Sequence, residues 1–106
     1  MIHRTIASIC AEVQDEVELA TKLHGAMASA HEGYAVLLEE VDELWDEVKK
    51  NPSKYAHRDK DMRKEAIQIA AMAMRFIMDV CDKKVDEEQS GTMRGAPIIG
   101  PAFYIE

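Results

Sequence analysis

Cysteine is nearly missing from this chain. Cys10 and Cys81 are its two thiols, with no C-x-x-C pair, so neither a disulfide framework nor a thiolate metal site can be assembled from them. Both fall on apolar helical positions and read as reduced core residues. His3, His24, His31 and His57 stand apart, without H-x-x-x-H or His/Cys spacing, which argues against zinc. Long apolar runs are lacking too: nothing approaches the roughly 18 residues of a membrane span, and Met1-Ile2-His3-Arg4 leads into no signal-peptide core. A cytoplasmic location without membrane contact is the expectation. Positive charge is scarce, thirteen Lys and Arg against twenty Asp and Glu, and the net charge of −7 opposes non-specific binding to nucleic acid or to an anionic lipid surface. If the ligand is a phosphate compound, a cation must mediate.

Glycine and proline are also few, and Gly91, Gly95, Pro97, Gly100 and Pro101 crowd the C-terminal end, leaving the rest of the chain free to form helix. Ile2, Ile6, Ile9, Val13, Val17, Ala20 and Leu23 recur every three or four residues and predict a first amphipathic helix over about 3–23, closed by His24-Gly25. Ser29-Ala30-His31-Glu32 matches a capping box and starts a second helix, about 30–50, whose stripe is Tyr34, Leu37, Leu38, Val41, Leu44, Trp45 and Val48. Asn51-Pro52-Ser53 ends it. Asp59 suits the N-cap of a third helix, about 59–83, which is apolar over more than half its circumference from Met62 to Cys81. Two amphipathic neighbours could hardly cover it alone. The expected fold is therefore a single all-α domain, 1–106, whose three-helix bundle is completed by dimerisation, with an irregular tail (84–106) docked through Ile98, Ile99, Phe103, Tyr104 and Ile105 on the partner subunit.

The second helix carries an unusual charge pattern. Glu40, Glu43 and Glu47 lie within about 60° of one another on the helical wheel, and the pairs Glu39/Glu43, Glu40/Glu43 and Glu43/Glu47 repel at one-turn spacing. Lys49 and Lys50 reach Trp45, Asp46 and Glu47, which leaves Glu39, Glu40 and Glu43 short of a local cation. On the third helix Glu65-x-x-Gln68 falls on the polar strip with Asp61, Lys64, Arg75 and Asp79. Antiparallel packing of these two helices would bring Glu40, Glu43, Glu65 and Gln68 to one point, an oxygen-rich environment of the kind Mg²⁺ prefers.

Glu40-x-x-Glu43 followed by Glu65-x-x-Gln68 resembles the paired motifs of the MazG-like all-α nucleoside triphosphate pyrophosphohydrolases, over about residues 29–80. The resemblance implies hydrolysis of a nucleoside triphosphate to monophosphate and pyrophosphate with Mg²⁺, or Mn²⁺, as cofactor. It casts Glu40, Glu43 and Glu65 as catalytic metal ligands, Gln68 as a fourth ligand, and Glu39 as a group that reaches a second ion or positions water. Trp45 becomes a candidate for stacking on a base, with Lys64 and Arg75 candidates for phosphate contacts. The partners implied are the triphosphate substrate and a second copy, as homodimer or dimer of dimers. Gln68 departs from the family's aspartate and removes one negative charge, so a binding or regulatory module without turnover is the alternative. A third reading is a helical assembly protein with a merely solvated acidic strip. By their place on the apolar stripe Trp45 and Tyr34 fit the core rather than a base platform, and Lys64 and Arg75 fit ordinary ion pairs with Glu65 or Asp79.

Overall fold

The computed structural model describes residues 5–82. It consists of α1 (Ile6–His24), α2 (Ala30–Val48) and α3 (Arg58–Phe76), with α3 continuing into a wider π-helical turn, Ile77–Cys81. Among the described residues there is no strand, and no helix is long and apolar enough to cross a membrane. The expected tail, 84–106, lies outside the described residues.

The helix ends follow from short polar side chains. At the start of α1 the Thr5 hydroxyl accepts from the Ser8 amide at 3.0 Å while the Ser8 hydroxyl accepts from the Thr5 amide at 3.1 Å, so two otherwise free donors are satisfied reciprocally. Gly25, at φ 73°, closes the helix in a conformation that costs other residues more. Ser29 caps α2 by accepting from the Glu32 amide at 3.1 Å, and the Glu32 carboxylate accepts from the Ala28 amide rather than from that of Ser29. Asp59 is not the N-cap of α3. The cap position is His57, two residues earlier, and the Arg58 guanidinium donates back to the Val48 carbonyl at 2.7 and 3.2 Å, tying the start of α3 to the end of α2.

Those contacts also set the topology. Arg63 grips Glu12 through two 2.8 Å hydrogen bonds near the start of both helices, and Arg75 donates through Nη2 to the Gly25 carbonyl past the end of α1, so α1 and α3 run in the same direction. Helix α2 runs against them: Val48 meets Arg58 at one end, and Gly33 meets Phe76 at the other. A β-carbon at Gly33 would lie 2.6 Å from Phe76 Cδ2, so the glycine that weakens α2 locally is what lets the phenyl ring close against it. The small core joins Val13, Val17 and Ala20 of α1, Met27 of the connection, and Ala71 and Met72 of α3, with Val36, Leu37, Ile67, Ala70, Phe76 and Val80 against it.

Helix α3 is central, yet three helices leave much apolar surface uncovered. Tyr34, Leu38, Val41 and Trp45 form an exposed ridge along α2, and Met74, Ile77 and Met78 are exposed on α3 and its π-turn. The stripe of α2 is wider than the face that α3 covers. Tyr34 and Trp45 are thus not core residues of this chain. Cys10 and Cys81 are exposed as well, contrary to their reading as core thiols. Cys10 does lie on the apolar flank of α1, but that flank borders an open groove rather than another helix.

Candidate metal centre

Antiparallel packing of α2 on α3 puts Glu40 and Glu43, one turn apart, opposite Glu65. Each of the three offers a carboxylate oxygen, and these oxygens lie within 4.8 Å of one another. Ion pairs elsewhere on α2 do not reach them: Lys49 pairs with Asp46 at 3.1 Å and Lys50 with Glu47 at 2.8 Å. Among the described residues no Lys or Arg forms an ion pair with Glu40, Glu43 or Glu65. Burial first, and then the charges of Glu43, Glu65 and Glu39, push the Glu40 carboxyl up to about 7 from 4.5. Glu65 is raised in the same direction, by burial and then by Glu43, with Lys64 opposing. Two raised carboxyls with a third in hydrogen-bonding reach of both are held together by the fold against their own repulsion.

Glu39, Glu40 and Gln68 also line a cleft of about 500 Å³ between α1 and α2, floored by α3. Leu19 and Leu23 of α1, Val36 of α2 and Met72 of α3 give it an apolar wall, and Glu16 and His24 are its polar groups from α1. Lys64 is exposed beside Gln68 in an adjoining recess with Glu12, Glu16 and Arg63. Glu16 thus borders both spaces that Gln68 borders. Glu16 lies off the apolar stripe of α1, and nothing in its local pattern signals the cleft, since only the register of α1 on α3 brings it there.

Two candidate residues are not brought to the carboxylates. Trp45 points to the opposite side of α2, about 160° from Glu43 on the helical wheel. It is 57% exposed there, with the Lys49 ammonium 6.0 Å from its ring centroid. Arg75 sits about 15 Å further along α3 than Glu65 and is only 4% exposed. Its Nη2 is bonded to the Gly25 carbonyl, its Nη1 lies 3.6 Å from Met72 Sδ, and its Nε is buried without a partner among the described residues. It belongs to the α1–α2 connection rather than to the cleft. Asp79 works with it, accepting from the Met27 amide at 3.0 Å.

The donor set suits a hard divalent cation. Mg²⁺ takes hard oxygen donors of this kind, and three carboxylate oxygens from two helices, all within 4.8 Å of one another, could share one ion. Compared with family models, curated proteins and solved structures, the chain matches none of them.

Proposed function

We propose that the chain is a MazG-like, Mg²⁺-dependent nucleoside triphosphate pyrophosphohydrolase. The observation that carries this reading is the convergence of Glu40, Glu43 and Glu65 within 4.8 Å, from two helices and without a pairing cation among the described residues, beside a cleft of about 500 Å³. That volume falls in the range of small-molecule sites. Glu40, Glu43 and Glu65 hold the ion, with the carbonyl of Gln68 as a fourth, neutral oxygen. The chemistry that bound Mg²⁺ supplies is neutralisation of the charge that builds on the phosphate oxygens in the transition state. Glu39, on the cleft wall, orients the attacking water and accepts its hydrogen bond. The water oxygen bonds to the α-phosphorus as its proton passes to the Glu39 carboxylate, the bridge to the β-phosphate breaks with its electron pair left on the departing oxygen, and pyrophosphate leaves. Leu19, Leu23, Val36 and Met72 exclude water around the base and sugar, and Lys64 meets the outer phosphates.

The working unit in this proposal is a homodimer or a dimer of dimers, with the α2 ridge of Tyr34, Leu38, Val41 and Trp45 buried against a second copy. One observation favours the alternative of a binding module: Gln68 borders the cleft where the related motif carries an acid. The test is a panel of standard and modified triphosphates assayed for pyrophosphate with Mg²⁺, beside an EDTA control. Release from at least one substrate, lost in Glu43→Ala and Glu65→Ala, is the expected result. Nucleotide binding without release would favour the module instead.

A further inference from the structure

On the face of the molecule away from the acidic cleft, α1 and α3 flank an open groove of about 600 Å³ walled by Ile9, Cys10, Val13, Val17, Met74 and Met78. It carries one charged side chain, Glu18, which is turned onto Gln14 by a 3.0 Å hydrogen bond at the rim. Among the described residues nothing covers it, and an apolar recess of this size left open would favour association.

We propose that the groove is the docking site of the chain's own segment 95–105. Gly95-Ala96-Pro97-Ile98-Ile99-Gly100-Pro101-Ala102-Phe103-Tyr104-Ile105 is the longest stretch of the sequence without Asp, Glu, Lys or Arg. It matches a recess that has almost no charge of its own. Ile98, Ile99 and Phe103 are its large apolar anchors, and the two prolines lower the entropy lost when an extended segment is fixed. Reach is not limiting. The connection from Asp82 to Gly95 can span about 40 Å when extended, more than the roughly 28 Å length of a 19-residue helix, and Met78 lies just one turn before Asp82. Tethering also places the segment at a local concentration of about millimolar, so a modest affinity suffices to keep the groove filled from within one chain. Arg94, the only cation after Lys84, immediately precedes the docked segment and can approach Glu18 at the rim.

Cys10 in the groove wall supplies the readout. In the full chain carrying Cys81→Ser, the rate at which Cys10 reacts with a small aromatic disulfide is measured with and without Ile98→Asp, Ile99→Asp and Phe103→Asp, with helicity followed by circular dichroism. Docking predicts that the tail substitutions speed Cys10 by about tenfold or more at unchanged helicity. The rate should be independent of protein concentration, and added synthetic peptide 95–105 should slow the substituted chain again. Equal rates with and without the substitutions would overturn the proposal. So would a rate that falls with rising protein concentration and ignores the tail, because a second copy would then be the occupant.

Discussion

Glu40 of α2 and Glu65 of α3 present carboxylate oxygens within 4.8 Å of each other, with Glu43 completing the triangle and no cation pairing with any of them among the described residues. A fold that concentrates like charge in this way is less stable than it would be with the charge removed or neutralised. The cost is visible in the Glu40 carboxyl, pushed up to about 7. Several consequences can be measured.

The metal-free protein should lose stability as pH rises. Glu40 titrates near 4.5 in the unfolded chain and near 7 in the folded one, so the folded state holds the extra proton between those values, and stability falls as pH increases through that window. Glu65, raised in the same direction, adds to the slope. Thermal melts from pH 4.5 to 8 should show a falling melting temperature, flattened in Glu40→Gln. A melting temperature that rises over this range in the wild type and is unaffected by Glu40→Gln would contradict the assignment.

Millimolar Mg²⁺ should reverse that loss at pH 8 and do little at pH 5, where protons occupy the same oxygens. Binding confined to the folded form stabilises it by about 2.7 kcal/mol at a hundredfold excess over Kd, a shift of several degrees in a domain of this size. Glu43→Ala and Glu65→Ala should melt as high as the wild type, or higher, without metal and show no shift with it. Gln68→Asp should strengthen the shift if the neutral amide is the weak member of the set.

Arg75 should prove structural. Removing its side chain takes away the bond to the Gly25 carbonyl and the packing on Met72, so Arg75→Ala should destabilise by about 2 kcal/mol while triphosphate affinity stays unchanged. Denaturant unfolding beside a triphosphate-binding titration separates the two effects, and weaker triphosphate binding at full stability would return Arg75 to the cleft.

Gly33→Ala has two opposed terms. Alanine gains about 1 kcal/mol of helix propensity, but its β-carbon would meet Phe76 at 2.6 Å, and overpacking costs about 1–3 kcal/mol. The net expectation is a lower melting temperature, recovered in part by Phe76→Leu. A clear stabilisation by Gly33→Ala alone would show that the ring yields freely.

How far the sequence could be read follows from what periodicity encodes. Three-and-four spacing located all three helices, and Ser29, Gly25 and Pro52 marked ends within a residue or two of those found, since caps and breakers act locally. The acidic residues of α2 were legible as a face without local cations for the same reason. Periodicity does not say how many neighbours a face receives, so Tyr34, Trp45 and Cys10 were assigned to a core that three helices do not extend to them. Apart from the meeting of Glu40 and Glu43 with Glu65, which the two spaced motifs suggest, contacts between distant segments were out of reach. Arg75 on Gly25, Asp79 on Met27, Phe76 on Gly33 and Glu16 beside Gln68 each depend on the register of one helix against another, and no short-range pattern announces them. The tail expected over 84–106 lies outside the described residues.

Glu40, Glu43 and Glu65 are proposed to share one divalent ion. Mn²⁺ uptake at pH 8, followed by paramagnetic resonance of the free ion, tests it without reference to any substrate. The expected result is saturable binding to the wild type, competed by Mg²⁺, weakened as pH falls below about 7, and lost in Glu43→Ala and Glu65→Ala. A wild type that leaves the free Mn²⁺ signal untouched, or one whose binding survives both substitutions, would contradict it.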